Sequence, residues 1–408
     1  MMPNGWKEVK LGEIFDFRNG INADKSQYGQ GVKFVNVMDV FGNHILTESK
    51  IIGRISISDK KLDDNRLEYG DVLFNRTSET FDEIAMSAVY LDNADATFGG
   101  FVIRGRPLTN KLDPRYTVYA FQDSNFRKQV IKLGQGAIRA NIGQKDLVKV
   151  KLLVPPLQEQ QKIAKILSTW DKAISTTECL IDNSTQQKKA LMQQLLTGKK
   201  RLLDDEGKRF EGEWEQVSLS AVVKVTGGNA FKSTDFKEKG IPLIKISNIK
   251  SDYSVSVESS VFISLDQKYD KFQIKNGDVL IAMSGATTGK IGKYNFDEIA
   301  YLNQRVGRFD ITEGLTTKSY LFQLLKIPKV QHEILIDAVG GAQPNISNKD
   351  IERIKVSIPP LKEQQKIATV LTNADKEIEL LEQQLADLQQ EKKALMQVLL
   401  TGKKRVLV

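Results

Sequence analysis

The sequence predicts a mixed α/β (α+β) protein in which two globular domains are separated by two long antiparallel coiled-coil helices, with pseudo-two-fold symmetry. Three observations support this prediction. A block in the middle of the chain, Val154–Ala164, returns near its end as Ile358–Ala368, 204 residues later. A heptad pattern follows each copy, and alternating strand-like segments precede each copy. One repeat in each half of the chain indicates a duplicated structural unit.

The duplicated block begins with two prolines in both copies, VPPLQEQQKIA from Val154 and IPPLKEQQKIA from Ile358. The end of each repeat also matches: KKALM is followed by TGKKR, which ends at Arg201 and at Arg405. Proline favours the first turn of a helix, and glycine followed by cations favours its end. Each repeat therefore predicts one helix of roughly forty residues, about 60 Å long.

Apolar residues recur along both predicted helices at alternating spacings of four and three, which is typical of a coiled coil. An antiparallel register that places Ile163 opposite Leu399 also places Leu195 opposite Ile367. The same register sets two lysines in the seam, and it predicts the pairs Lys188 with Ala374 and Lys392 with Trp170, the latter as a cation–π contact. The predicted boundaries are 1–153 for the first domain, 154–202 for the first helix, 203–357 for the second domain and 358–408 for the second helix.

The two globular segments are related to each other more loosely. Tyr69–Phe74 aligns with Asn276–Ile281, where Gly-Asp predicts a turn before a buried strand. Asn141–Leu147 aligns with Asn345–Ile351, where Ser347 and Asp350 have capping-box spacing. A shared framework with different loops predicts a protein that reads two different half-sites.

The composition disfavours catalysis by this chain. It has 408 residues, a net charge of +8, two histidines and one cysteine. These counts exclude a disulfide framework and a zinc site built from Cys and His, and they leave His-based chemistry without partners. The sequence has no run of eighteen apolar residues and no apolar signal-peptide core near its first residue, so we expect a cytoplasmic protein.

The order of a variable α/β domain, a Pro-Pro-Leu…Glu-Gln-Gln-Lys-Ile-Ala helix, a second variable domain and a second such helix resembles the specificity (S) subunit of type I restriction–modification enzymes. The resemblance covers essentially the whole chain. It implies two target recognition domains, each reading half of a bipartite double-stranded DNA sequence. It also implies that the repeated helices set the spacing and dock two methyltransferase (modification) subunits, and that restriction (translocase/nuclease) subunits join the complex.

The resemblance further implies that this chain is not an enzyme and binds no cofactor. The assembled complex would be a DNA adenine methyltransferase and ATP-dependent endonuclease, with S-adenosylmethionine, ATP and magnesium on partner subunits only.

The segment Ser284–Ile291 resembles a phosphate-binding loop, but it lacks the first glycine and the final Ser or Thr of that motif. A non-DNA, protein-binding adaptor with two lobes on a coiled-coil spacer is the alternative, and salt-sensitive DNA binding would distinguish the two.

Hydrogen-bonded reading of base edges typically uses Arg, Lys, Asn and Gln, and Lys, Arg, Ser and Thr hold backbone phosphates. The candidate DNA-binding residues of the first domain are Asn75, Arg76, Thr77, Ser78, Arg104, Arg139 and Asn141. Those of the second domain are Ser284, Thr287, Thr288, Lys290, Asn303, Arg305, Gln343 and Asn345. No metal-binding or catalytic residue is predicted.

The polar residues of the duplicated block have two interpretations, a solvated helix start or a docking surface for another subunit. The docking interpretation selects Leu157, Glu159, Gln160, Lys162, Leu361, Glu363, Gln364 and Lys366. The basic triplets Lys199–Arg201 and Lys403–Arg405 are interpreted as helix-end cations in preference to phosphate contacts.

Overall fold

The computed structural model describes residues 3–136, 139–336 and 344–407. It divides into two compact units, which are described separately. Unit one comprises Met1–Glu178 and Gln383–Val408, and unit two comprises Cys179–Glu382. Each unit therefore contains one globular domain, part of the first long helix and part of the second.

The first domain, in unit one, is built around a five-stranded sheet. Its strands lie in the order Phe15–Asn19, Val102–Pro107, Val72–Asn75, Ser87–Tyr90 and Ile45–Leu46. A three-stranded sheet has the order Arg54–Ile55, Tyr28–Val35 and Ala96–Phe98, and two-stranded pairs join Lys7–Lys10 to Lys151–Val154 and Thr77–Ser78 to Ala140–Asn141. The α-helices are Leu11–Ile14, Val37–Gly42, Asp59–Asn65, Pro114–Ala120, Ser124–Leu133 and Gln144–Leu147, and the 3-10 helices are Lys25–Gln27, Glu48–Lys50 and Phe81–Glu83.

The second domain, in unit two, has a four-stranded sheet in the order Val223–Gly227, Val306–Ile311, Val279–Ala282 and Ile291–Lys293. A five-stranded sheet has the order Phe236–Lys237, Val261–Ile263, Ile241–Ile244, Ala300–Leu302 and Gln273–Ile274, and Glu215–Ser218 pairs with Lys355–Ile358. The α-helices are Lys318–Leu325, Pro328–Ile336 and Asn348–Arg353, and the 3-10 helices are Leu219–Ala221, Ser233–Asp235, Ile246–Asn248, Gln267–Phe272 and Gly285–Thr287.

The two Gly-Asp turns form as predicted. Gly70 and Gly277 have φ of 94° and 87°, a left-handed conformation that favours glycine. The buried Asp71 carboxylate accepts the Glu68 backbone N–H at 2.8 Å and pairs with Arg106. Each turn leads into a strand whose four residues are all buried, so both central strands start from a fixed position. The predicted capping box of Ser347 and Asp350 is also confirmed.

The long helices run from Leu157 to Leu195 and from Leu361 to Leu399, and each begins directly after its two prolines. In unit one, Ile163 and Leu399 lie in one hydrophobic core together with residues of the first domain. In unit two, Leu195 and Ile367 lie in one core with residues of the second domain. These two associations agree with the predicted antiparallel register.

Each seam lysine pairs with an aspartate of the opposite helix, one residue away from the predicted partner. In unit one, Lys392 donates to Asp171, and the Tyr119 hydroxyl donates to the same carboxylate at 2.6 Å. Lys392 lies 5.7 Å from the Tyr119 ring centroid, so the predicted cation–π partner, Trp170, was wrong. Heptad spacing fixes which faces meet, but it carries no information about an aromatic ring supplied by the globular domain.

Unit two has the corresponding aspartate, with a different set of partners. Lys188 donates to Asp375, where Ala374 was predicted, and the Gln323 side-chain amide donates to Asp375 at 2.7 Å. Lys326, whose side chain is 6% exposed, lies 3.5 Å from Asp375 and packs 4.0 Å from the Phe322 ring centroid. Burial lowers the pKa of Lys326 to about 8, although the Asp375 carboxylate opposes this shift.

We predict that Lys326→Met removes part of the pH dependence of stability. Between pH 8 and about 10.4, the ordinary lysine pKa, the unfolded chain binds more protons at this position than the folded chain. The Lys326 contribution to the free energy of unfolding should therefore rise by about 1–3 kcal/mol as the pH rises through this range. Urea unfolding of the unsubstituted protein and of Lys326→Met at pH 7.5 and pH 10 measures how the free energy of unfolding of each changes with pH. An equal change in the two proteins would contradict the prediction.

Candidate nucleic-acid interface

In the first domain, the structure brings together two loops that hold predicted DNA-binding residues. The strand Thr77–Ser78 pairs with Ala140–Asn141, so that Thr77 lies opposite Asn141. The Ile142 backbone N–H donates to the Arg76 carbonyl oxygen at 3.0 Å. Arg76, Arg139 and Asn141 are exposed, and Thr77 is half-buried. This loop pair therefore presents two guanidinium groups and one amide to solvent.

The second domain repeats the arrangement. Ser284 forms a β-bridge with Asn345, and the Ile346 backbone N–H donates to the Met283 carbonyl oxygen at 2.9 Å. The Arg305 guanidinium donates to the Ser284 hydroxyl at 3.3 Å. Both Arg305 and Asn345 are exposed. Two related domains thus carry matched loop pairs at the ends of their central strands.

The remaining candidates of the second domain lie around the same loops. The Thr288 hydroxyl donates to the Gly285 carbonyl oxygen at 2.7 Å, and Lys290 donates to the Ser251 hydroxyl at 2.9 Å. Asn303 is half-buried, and its backbone N–H donates to the Ile244 carbonyl oxygen at 3.0 Å. The Thr287 hydroxyl is buried and has no hydrogen-bond partner among the residues described. Gln343 lies outside the described residues.

Several candidates are buried and serve the fold. Arg104 is 3% exposed, donates to the Arg66 carbonyl oxygen at 3.2 Å and lies 5.8 Å from the Phe98 ring centroid. Burial lowers the Arg104 pKa. The Asn75 side-chain amide donates to the Thr77 and Glu83 carbonyl oxygens, which holds the loop that follows its strand. Ser78 and Ser284 are also buried. These side chains support the loops from inside, so we assign them no direct contact with a ligand.

The duplicated polar block has a structural role that neither interpretation of the sequence included. The buried Glu159 carboxylate binds Arg405, and the buried Glu363 carboxylate binds Arg201. The Arg405 hydrogen bond holds the pKa of Glu159 below its usual range, so the carboxylate is ionised at neutral pH. In each unit the beginning of one long helix is thereby held to the segment that follows the end of the other. We call these two ion pairs the Glu–Arg clamps.

The glutamine that follows each clamp glutamate is equally buried. The Gln160 amide donates to the Pro155 and Lys111 carbonyl oxygens and accepts the Asp113 backbone N–H. Gln364 makes the matching bonds to the carbonyl oxygens of Pro359 and Leu315, and it accepts the Thr316 hydroxyl at 2.9 Å. These glutamines fasten each helix start to the neighbouring domain.

The docking prediction is therefore wrong for Glu159, Gln160, Glu363 and Gln364, because buried side chains with saturated bonds offer no surface to a partner. Leu157 and Lys162 are exposed, and Leu361 and Lys366 are half-buried. Lys366 pairs with Asp205. The docking hypothesis now depends on these four residues.

The sequence interpretation missed the structural role of Arg201 and Arg405, because it assigned the basic triplets to helix-end electrostatics. The sequence did contain a sign of this pairing, because the glutamates and the arginines both recur at the 204-residue spacing. A cation that only balances the helix end could be lysine or arginine, so a repeated arginine indicates a specific partner.

The comparisons with known proteins agree on one family. Residues 3–183 and 211–390 match the model of the type I restriction modification DNA specificity domain. The type I restriction enzyme MjaVIII specificity subunit of Methanocaldococcus jannaschii is 33% identical over 306 residues, which is 72% of this chain and 71% of that protein.

Solved structures have the same fold. The crystal structure of the type I restriction–modification S subunit from M. genitalium matches with a TM-score of 0.61 and 16% identity, over 98% of this chain and 97% of that one. The HsdS subunit from Thermoanaerobacter tengcongensis matches with a TM-score of 0.51 and 18% identity, over 99% and 98% of the two chains. Across the described residues, none of the helices is both long and apolar enough to cross a membrane.

We predict that Arg201→Ala destabilises unit two. The substitution leaves the Glu363 carboxylate, which is fully buried, without its cation, at a cost of about 2–4 kcal/mol. The control Lys200→Ala removes the same charge from an exposed neighbour in the same triplet and should change stability by less than about 0.5 kcal/mol. Urea unfolding compares the variants.

The double variant Arg201→Met with Glu363→Leu should recover much of the loss, because no buried charge then lacks a partner. Equal stability of Arg201→Ala and Lys200→Ala would mean that the clamp contributes nothing.

Proposed function

Because this chain belongs to the family of type I restriction–modification DNA specificity domains, we propose that it is the DNA specificity subunit of a type I restriction–modification complex. Each globular domain reads one half of a bipartite target in double-stranded DNA. The observation that carries this proposal is the pair of matched loop frames, which present different side chains in the two domains. A duplicated frame with unlike loops suits a target with two unlike halves.

Recognition is the chemistry that the chain itself performs. Arg76, Arg139 and Asn141 offer donors and acceptors of the kind that reads base edges or holds phosphates, and Arg305 and Asn345 offer them in the second domain. The catalytic chemistry belongs to partner subunits, which bind S-adenosylmethionine for adenine methylation and ATP with magnesium for cleavage. The complex acts in the cytoplasm.

The methyltransferase subunits dock beside the starts of the two long helices. Leu157, 42% exposed, and Lys162 form an accessible pair in unit one, and Leu361 and Lys366 are their counterparts in unit two. The Glu–Arg clamps hold these helix starts rigidly, so the docking residues keep a fixed position. Restriction subunits then bind the methyltransferase-containing complex.

The direct test is to co-express the chain with type I methyltransferase subunits and to map methylated adenines in DNA. We expect one bipartite target. Replacing residues 1–153 by the corresponding domain of another specificity subunit should change one half of that target and leave the other half unaltered. The purified chain alone should transfer no methyl group. A complex that methylates no defined sequence, or an exchange that alters both halves, would refute the proposal.

We predict that Arg76→Ala weakens DNA binding of the assembled complex. If Arg76 contacts a phosphate, its loss should make the slope of log affinity against log salt concentration shallower by about 1. If Arg76 reads a base, its loss should reduce the discrimination between the correct and the wrong base by about 1–3 kcal/mol. The charge-matched control is Lys10→Ala, because Lys10 is an exposed cation in the strand Lys7–Lys10. This variant should leave the salt slope and the base discrimination unchanged. Fluorescence anisotropy at several salt concentrations measures them, and equal effects of the two variants would remove Arg76 from the interface.

A further inference from the structure

A tight turn beside each loop pair has the same construction in the two domains. In the first domain the turn is Gly99–Val102, closed by a hydrogen bond from the Val102 N–H to the Gly99 carbonyl oxygen at 2.9 Å. In the second domain it is Asn303–Val306, closed by the same bond at 2.9 Å. The two turns are 204 residues apart, the spacing of the long helices.

The bonds that hold the turns to their surroundings also correspond. The Arg76 N–H donates to the Phe101 carbonyl oxygen at 2.8 Å, and the Met283 N–H donates to that of Arg305 at 2.9 Å. On the other side, the Gly20 N–H donates to the Val102 carbonyl oxygen at 3.2 Å, and the Gly228 N–H donates to that of Val306 at 3.0 Å. Phe101 and Arg305 therefore occupy equivalent positions.

Close backbone packing fixes the turn in each domain. A Cβ atom at Gly20 would lie 2.3 Å from the Gly99 carbonyl oxygen, and one at Gly228 would lie 2.2 Å from the Asn303 carbonyl oxygen. A Cβ at Gly100 would lie 2.1 Å from the Asn22 side-chain oxygen. The turn cannot move away without losing these contacts, so its side chain is presented from a rigid base.

The residue at this position differs sharply between the domains. Phe101 is 64% exposed, although it is a large apolar side chain at the edge of a polar loop pair. Arg305 is exposed and is oriented by its hydrogen bond to Ser284. The same rigid turn thus carries an apolar side chain in one domain and a bidentate hydrogen-bond donor in the other. Apolar contacts and bidentate hydrogen bonds are two kinds of contact that distinguish bases in the major groove.

We propose that Phe101 is a specificity-determining residue that contacts the 5-methyl group of a thymine in the half-site read by the first domain. The inference rests on the proposed function. A phenylalanine ring has no donor or acceptor for a base edge, and the thymine methyl is the apolar group that the major groove displays. Arg305, at the equivalent position of the second domain, contacts the O6 and N7 acceptors of a guanine.

The test uses the assembled complex with its methyltransferase subunits and a DNA duplex that carries the mapped target. Each thymine of the first half-site is replaced in turn by deoxyuracil, which keeps the hydrogen-bonding edge and lacks only the methyl group. For the unsubstituted protein, one replacement should weaken binding about 3- to 10-fold, the size expected for losing one buried methyl contact. For Phe101→Ala, the same replacement should have no effect.

Two further variants sharpen the result. Phe101→Leu keeps an apolar side chain and should retain part of the sensitivity to deoxyuracil. Phe101→Arg should shift the preference at that base pair from thymine towards guanine. Since Phe101 is exposed, the thermal unfolding of all three variants should match that of the unsubstituted protein, which separates recognition from stability.

Three outcomes would overturn the inference. In the first, replacing any thymine of the first half-site by deoxyuracil leaves the affinity unchanged. In the second, the Phe101→Ala complex loses affinity equally for the thymine and the deoxyuracil duplex, as insertion of the ring between bases would produce. In the third, the Phe101→Ala complex binds the thymine duplex with unchanged affinity. A complex that shows no sequence-specific methylation would instead refute the proposed function, before this test begins.

Discussion

The organisation of the molecule depends on two buried carboxylates. Glu159 and Glu363 lie at the starts of the long helices, where burial makes an ionised group costly unless a cation reaches it. In each unit that cation comes from the far end of the other helix, as Arg405 or Arg201. A parallel arrangement of the helices would bring the two starts together and leave both carboxylates unpaired. The clamps therefore favour the antiparallel pairing, and they explain why the glutamate and the arginine both belong to the repeat.

The same division between buried and exposed groups explains how two related domains can have different specificities. The bonds that hold the loops are made by the backbone, as between Arg76 and Phe101 or between Met283 and Arg305. Backbone groups are the same for every residue type, so the side chains at these positions can change without loss of the frame. Buried side chains such as Asn75 hold the loops in place, whereas exposed side chains beside them, such as Arg76, can vary without breaking these bonds. The hydrogen bonds that hold the loops and the side chains that the loops expose thus involve different atoms.

Local sequence signals predicted the features that depend on neighbouring residues. The prolines before Leu157, the Gly-Asp turns and the capping box of Ser347 all act within a few residues, and all form as expected. The register of the long helices followed from the heptads to within one residue, because the apolar faces must meet. Features that need a distant partner were missed. Arg104 resembles a surface cation in the sequence, and only the folded sheet shows that it is buried. The partners of Glu159 and Gln160 lie far away along the chain. The residue types of Glu159 and Gln160 alone were therefore equally consistent with exposure to solvent and with contact to another subunit.

The seam aspartates show that the two halves of the duplicated framework differ in their partners. Asp171 is satisfied by a lysine and by the Tyr119 hydroxyl, whereas Asp375 is satisfied by a lysine and by the shorter Gln323 amide. The smaller glutamine fills less space than the tyrosine, and the ammonium group of Lys326 lies 4.0 Å from the Phe322 ring and 3.5 Å from the same carboxylate. Burial lowers the pKa of Lys326, and the nearby Lys188 lowers it further, while the Asp375 carboxylate opposes the shift. The helix-to-domain junction of unit two therefore contains a lysine whose pKa is about 8, while the aspartate at the matching junction of unit one has Lys392 and Tyr119 as its partners. The two halves of the duplicated framework therefore differ in the charged groups around the seam aspartate, although both long helices have 39 residues.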